Sequence, residues 1–121
     1  MLYAKQIPAF GGDTIFASQY AAFDSLSSGL ADTLKGMFAV SKAGNKAVAA
    51  TRAPRIKEQQ TKEQGTGKPA DELQALHPVV RMHPETGKPS LYLSPAHTTK
   101  FAGWSEQESV ALLSYLFEIQ T

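Results

Sequence analysis

The order of secondary-structure signals along the chain predicts an α+β fold. Strand-like runs come first, helical periodicity follows, and a second pair of strand-like runs precedes a final helix. With 121 residues, of which 42% are hydrophobic and 19% charged, the chain has the size and composition of one globular domain. We therefore expect residues 1–121 to form a single domain.

The N-terminal region is predicted to form a hairpin. Residues 2–7 and 14–17 are typical of strands, and the Gly-Gly-Asp sequence at positions 11–13 is a turn signal between them. Two strands separated by so short a loop are expected to pair with each other.

Two short helices and a strand are predicted next. Ser18 is suited to cap a helix in which apolar residues recur three apart, at Tyr20, Phe23 and Leu26. The Ser-Ser-Gly sequence at positions 27–29 ends this helix. A second helix then carries apolar residues on one side, at Leu30, Leu34 and Met37. Residues 37–40 are apolar and favour a short strand.

Residues 41–70 lack a periodic pattern, which predicts a mobile, lid-like insert. Residues 71–121 are predicted to be a hairpin followed by a C-terminal helix, with strands at 79–82 and 90–93 around a Pro-Glu-Thr-Gly turn. The helix begins with a capping box, in which Ser105 and Glu108 satisfy each other's backbone amides. We expect it to end near Glu118.

Composition excludes several classes of site. The chain has no cysteine, so it has no disulfide, thiolate metal site or cysteine nucleophile. No apolar run approaches the roughly 20 residues of a membrane span. The first residues also lack the pattern of a secretory signal. We therefore expect a soluble, cytoplasmic protein that does not contact a membrane.

The basic residues are concentrated in one segment. Seven of the twelve lie within residues 42–68, where only Glu58 and Glu63 oppose them, so this segment carries about +5. Such a segment could bind nucleic acid through phosphate contacts. It has no aromatic residue for base stacking, however, and a solvated lid is the favoured interpretation.

A metal site is the main chemical alternative that the residues themselves suggest. His83 and Glu85 form a His-x-Glu pair, and His77 and His97 lie nearby in sequence. Two histidines and a carboxylate suit Fe(II). The pair falls in a turn, however, so an exposed hairpin tip is the favoured interpretation, and a small enzyme built on these residues is the remotest one.

Three stretches resemble the taurine dioxygenase and 2,4-dichlorophenoxyacetate dioxygenase family. The first is Leu-Tyr-Ala-Lys-Gln-Ile-Pro at 2–8, followed by Gly-Gly-Asp-Thr at 11–14 and the helix after it. The second is His-Pro-Val-Val-Arg-Met-His-Pro-Glu-Thr-Gly-Lys at 77–88. The third is Leu-Tyr-Leu-Ser-Pro-Ala-His-Thr-Thr-Lys at 91–100, with the C-terminal helix. They occur in the family's order and span nearly the whole chain.

The resemblance implies a partial double-stranded β-helix, or jelly roll, with flanking helices. It also implies an oxidoreductase chemistry in which Fe(II) and 2-oxoglutarate activate oxygen, and a role in taurine catabolism. By the same resemblance, Thr14 would donate its hydroxyl to a 2-oxoglutarate carboxylate. His97 would line the substrate pocket. His83 and Glu85 would fall in an outer hairpin, away from the metal.

The family's iron ligands do not match positions of this chain. Its His-x-Asp pair lies before the strand at 2–7, and its distal histidine and 2-oxoglutarate-binding arginine lie beyond the C-terminal helix. We therefore expect a truncated member with no catalytic residues or metal ligands of its own, which binds neither Fe(II) nor 2-oxoglutarate alone. The alternative is an interaction module derived from the enzyme, a homo-oligomer (most simply a dimer) that pairs through exposed sheet edges.

Overall fold

The computed structural model describes residues 3–43 and 73–121, which form three helices and two antiparallel sheets. The elements, in chain order, are α1 Gln19–Asp24, α2 Ser28–Lys35, β1 Phe38–Lys42, β2 Gln74–Pro78, β3 Val80–Met82, β4 Pro89–Leu91, β5 Thr98–Phe101 and α3 Glu106–Ile119. This mixture of helices and antiparallel strands confirms the α+β expectation.

The larger sheet has the strand order β2-β1-β5. Strand β1 lies in the centre, where Ala39 pairs with His77 on one side and with Phe101 on the other. The register between β1 and β5 shifts between Val40 and Ser41, so that Ser41 pairs with Thr98. The smaller sheet is the β3–β4 hairpin, as the sequence predicted, and it follows β2 after the single residue Val79.

Serine residues begin all three helices. Ser18 caps α1 and Ser27 caps α2, each by accepting a hydrogen bond from an amide three residues later. Ser105 and Glu108 form the predicted capping box of α3, because the Glu108 carboxylate also accepts from the Ser105 amide at 2.8 Å. The short-range signals therefore located the helix starts correctly, although Ser27 begins the second helix rather than only ending the first.

A single apolar cluster joins the helices to both sheets. Its largest fully buried members come from α2, the link between β2 and β3, β4, β5 and α3, and they are Leu34, Val79, Leu91, Phe101 and Leu116. Helix α3 packs on β5, and α1 packs on β4. The cluster fixes the position of both sheets relative to the helices.

The predicted N-terminal hairpin is wrong for the described residues. Residues 3–17 contain no strand, and their side chains are exposed throughout. A strand needs a partner for its backbone groups and a surface on which to bury one face. No described residue supplies either to this arm, so its strand-forming composition does not produce a strand.

The predicted lid at 41–70 is largely outside the described residues. Its first two residues, Ser41 and Lys42, complete strand β1, which therefore runs two residues further than predicted. Strands β2 and β5 were not predicted. Of the basic segment at 42–68, only Lys42 and Ala43 are described. No helix within residues 3–43 and 73–121 is long and apolar enough to cross a membrane.

Candidate functional site

A cleft of about 230 Å³ opens on one side of the larger sheet. Two imidazoles, four hydroxyl-bearing side chains and one leucine line it, namely Ser41, His77, Tyr92, Leu93, Ser94, His97 and Thr98. No carboxylate is among these residues. The cleft therefore offers hydrogen-bond donors without a negative charge that would repel an anion.

Strand pairing brings the distant residues of the cleft together. Alternate residues of a strand share one face of the sheet, so Ala39 and Ser41 lie on the same face of β1. Ala39 pairs with His77 on β2, and Ser41 pairs with Thr98 on β5. His77 and Thr98, which lie 21 positions apart in sequence, therefore flank the central strand β1, one on each side.

His97 is attached to strand β1 at two points. The Lys42 amide donates to the His97 carbonyl oxygen at 2.9 Å, and the His97 Nδ1 lies 3.4 Å from the Lys42 carbonyl oxygen. The side chain is half-buried. The structure thus places His97 in the wall of this cleft, and its assignment to a substrate pocket stays a prediction.

Tyr92 links the cleft to the hairpin sheet. Its ring meets the His77 ring edge-on, with centroids 5.2 Å apart, and the Arg81 guanidinium lies 4.7 Å from its centroid. Both contacts are favourable, because the face of an aromatic ring is negative and its edge is positive. Tyr92 was not predicted as a site residue, because nothing in the sequence around it indicates which strands it joins.

Thr14, the expected 2-oxoglutarate contact, lies in the exposed N-terminal arm. Gly11 and Gly12 precede it with φ angles of 77° and 76°, a left-handed conformation that strongly favours glycine. The Gly-Gly sequence is therefore needed for the shape of the turn. The Thr14 hydroxyl does not bond to another described residue, and Thr14 does not line the cleft.

His83 and Glu85 belong to the turn of the hairpin and do not approach the cleft. The His83 Nδ1 accepts hydrogen bonds from the Glu85 and Thr86 amides, both at 3.2 Å. Glu85 is exposed. The structure thus brings two of the candidate histidines together, at His77 and His97, and keeps the His-x-Glu pair apart from them.

An iron site of the kind the resemblance implies does not fit the described residues alone. Within residues 3–43 and 73–121, no three His, Asp or Glu side chains lie close enough to hold a metal ion. Thr14 carries one hydroxyl in the exposed arm, and the cleft offers imidazoles without a carboxylate. We therefore derive no iron-dependent step from these residues.

Comparison with known proteins assigns the chain to a family. The family model described as taurine catabolism dioxygenase TauD, TfdA family matches residues 1–121, the whole chain. The chain belongs to the TauD/TfdA family. This result confirms the resemblance drawn from the three sequence stretches.

TauD/TfdA relatives share both sequence and structure with the chain. A Schizosaccharomyces pombe protein provisionally named an alpha-ketoglutarate-dependent sulfonate dioxygenase is 36% identical over 117 residues, which is 95% of this chain and 27% of that protein. A taurine dioxygenase structure from Burkholderia xenovorans is 30% identical with a TM-score of 0.68, over 95% of this chain and 32% of that one.

A third TauD/TfdA relative was solved with ligands bound. The structure of AAD-2 in complex with Mn(II) and N-oxalylglycine is 27% identical, with a TM-score of 0.62, and the match covers 88% of this chain and 38% of that one. The chain thus spans about a third of the lengths of these relatives. Alpha-ketoglutarate, another name for 2-oxoglutarate, appears in the names of several relatives, and dependence on it is a property of the family.

Proposed function

We propose that these 121 residues are the substrate-cleft segment of an Fe(II)- and 2-oxoglutarate-dependent dioxygenase acting on sulfonates. The observation that carries the proposal is the donor-lined cleft that β1, β2 and the loop before β5 build within a chain of this family. The jelly roll that the resemblance implies would be completed by residues outside the chain. The chain matches only about a third of each relative's length, which is consistent with a cleft segment whose jelly roll and metal ligands belong to other residues of the enzyme.

The composition of the cleft supports an anionic head group as the part of the substrate that binds here. Ser41, Ser94 and Tyr92 offer hydroxyl donors, and His77 offers a ring N–H. A sulfonate presents several acceptor oxygens and a negative charge, and hydrogen bonds to a charged acceptor are the stronger ones. The name of the S. pombe relative points to the same substrate class.

Binding of taurine to the full chain tests the cleft. We would follow its amide and histidine ring signals by NMR during a titration with taurine. Perturbed signals are expected at His77, Ser94 and His97. His97→Ala should weaken binding, whereas His83→Ala, which removes a histidine outside the cleft, should leave it unchanged. Equal effects of the two variants would count against the cleft as the binding site.

We propose further that the chain does not catalyse the oxidation by itself. The support is the absence of a three-residue metal-binding group within residues 3–43 and 73–121. Thr14 would then contribute its hydroxyl to 2-oxoglutarate only when residues outside the chain hold the iron. Anaerobic titration with Fe(II) and 2-oxoglutarate should produce no metal-to-ligand charge-transfer band, and the appearance of that band would refute the proposal.

The exposed N-terminal arm favours a second candidate, an oligomeric interaction module. Its large apolar side chains are almost fully exposed, at Tyr3, Ile7, Phe10, Ile15 and Phe16. Aromatic side chains bury about 150–250 Å² each, so the three in this arm alone match or exceed the roughly 300–600 Å² of the largest patch on an ordinary monomer. Pairing of arms or of the edge strands β2 and β5 between two copies would cover such surface.

Sedimentation velocity over a range of concentrations separates the two candidates. An interaction module should sediment as a homodimer that dissociates on dilution. Phe10→Ser and Phe16→Ser together should then shift the protein toward the monomer. A wild-type chain that stays monomeric at every concentration would rule out the module and leave the dioxygenase segment unaffected.

A further inference from the structure

The loop that carries His97 is closed by two backbone hydrogen bonds and by one side chain, that of Thr98. The Thr98 Oγ1 accepts from the Ser94 amide at 3.0 Å, and the Thr98 amide donates to the Ser94 carbonyl oxygen at 2.8 Å. The His97 amide donates to the same carbonyl at 3.1 Å. Thr98 is only 5% exposed, so water has little access to replace its hydroxyl.

The closed loop places the His97 ring against strand β1, where its hydrogen bond defines a tautomer. A backbone carbonyl oxygen only accepts, so a hydrogen bond across the 3.4 Å between the His97 Nδ1 and the Lys42 carbonyl oxygen requires the proton on Nδ1. In the neutral ring the other nitrogen, Nε2, then carries the lone pair. The second attachment, from the Lys42 amide to the His97 carbonyl oxygen, holds the loop in register with β1.

We propose that Thr98 is a positioning residue for His97: by closing the 94–98 loop, it holds the neutral imidazole as the Nδ1–H tautomer in the wall of the cleft. Valine has the shape of threonine but no hydroxyl, so Thr98→Val would leave the Ser94 amide without its acceptor. The loop would be held by its two backbone hydrogen bonds alone, and the His97 ring would lose its fixed distance from Lys42. The role of the tautomer in ligand binding rests on the proposed function, but the tautomer itself does not.

The test compares three variants of the full chain labelled with 15N-histidine, without ligand and at a pH where the imidazoles are neutral. Long-range 1H–15N correlation spectra report which ring nitrogen is protonated. Wild type and Thr98→Ser, which keeps the hydroxyl, should show Nδ1–H at His97. Thr98→Val should move His97 toward the Nε2–H tautomer that an unrestrained histidine side chain favours.

Thr99→Val is the matched control. It makes the same change one residue later, where the hydroxyl donates to the Val40 carbonyl oxygen at 3.2 Å, outside the loop and the cleft lining. Its His97 tautomer should equal that of wild type. Unchanged tautomers in Thr98→Val would overturn the proposal. If Thr98→Val does not fold, Thr98→Ala makes the same deletion of the hydroxyl, and Nε2–H at His97 in wild type overturns the proposal without any variant.

Taurine titration of the same proteins separates this inference from the proposed function. If both hold, Thr98→Val should weaken binding about tenfold, the size expected for one hydrogen bond, Thr98→Ser should restore most of that loss, and Thr99→Val should bind as wild type. If wild type binds no taurine but shows the Nδ1–H tautomer and its loss in Thr98→Val, the substrate proposal fails and the positioning role stands. Because Thr98 also lines the cleft, the ligand-free spectrum distinguishes positioning from direct contact.

Discussion

The Ser109 hydroxyl accepts a hydrogen bond from the Phe101 amide at 3.1 Å and thereby joins helix α3 to strand β5. It also donates to the Ser105 carbonyl oxygen at 2.9 Å. Both Ser109 and Phe101 are fully buried. The amide of Phe101, the last residue of β5, thus finds its partner on a helix, and the sheet that carries the cleft is attached to the apolar cluster.

Ser109→Ala should lower the free energy of unfolding by about 1–3 kcal/mol, because the buried Phe101 amide would lose its acceptor. Denaturant unfolding measures the change. Ser114→Ala, an exposed position on the same helix, is the control and should stay within about 0.5 kcal/mol of wild type. A Ser109→Ala variant as stable as this control would show that the bond does not stabilise the fold.

Leu34→Ala should lower the free energy of unfolding by about 2–5 kcal/mol. Leu34 on α2 is fully buried in the apolar cluster, so its truncation leaves a cavity. Leu76→Ala removes the same atoms from an exposed position on β2 and should have little effect. Equal denaturation midpoints for the two variants would contradict the position of the core.

Acidification should weaken the start of α3 through Glu108. The Ser105 amide, and then the Ser105 hydroxyl, lower the pKa of the Glu108 carboxyl below its ordinary value of 4.5. A group with a lowered pKa in the folded state stabilises the fold fully above its unfolded pKa, and this contribution disappears as the pH falls through the folded pKa. The effect should therefore appear only in the acidic range below about 4.5.

Urea unfolding of wild type, Glu108→Gln and Glu106→Gln at a series of pH values measures this effect. Glu108→Gln should remove the part of the pH dependence that belongs to the capping box. Glu106→Gln, which removes a carboxylate of the same first turn outside the box, should retain it. The prediction fails if both variants show the same pH profile.

Tyr92→Leu should disturb the packing of the cleft wall, whereas Tyr92→Phe should keep that packing and remove only the hydroxyl donor, because the contacts with Arg81 and His77 involve the ring rather than the hydroxyl. Loss of the two ring contacts should cost about 1 kcal/mol of stability. It should also abolish the ring-current shift of the His77 imidazole protons, which NMR reports directly. An unchanged His77 shift in Tyr92→Leu would show that the two rings are not in contact.

Local signals in the sequence were sufficient for the helices and the β3–β4 hairpin. The box at Ser105 and Glu108 requires only residues three positions apart, and the hairpin turn closes between His83 and Gly87. The prediction of N-terminal strands was wrong because strand formation depends on a partner strand, which composition does not reveal. Strand β2 was missed because it contains Pro78, which an edge strand tolerates.

The candidate site was harder to predict than the fold. His97 could be expected in a pocket only through the family resemblance. His77 was considered only as a possible metal ligand, and Ser41 only as the start of the insert, because their meeting depends on pairing with residues far away in sequence. Alternation along β1 places Ala39 and Ser41 on one face of the sheet. Only the pairing of these two residues with His77 and Thr98 shows which other residues share that face.

Turnover by the 121-residue chain tests the central claim most directly, namely that these residues supply a substrate cleft of a TauD/TfdA dioxygenase but not its catalytic centre. The purified chain would be incubated in air with Fe(II), ascorbate, 2-oxoglutarate and taurine, and succinate would be quantified against a protein-free control. We expect no succinate above that control, although taurine should perturb the NMR signals of His97. Taurine-dependent formation of succinate, abolished by Thr14→Val, would contradict it.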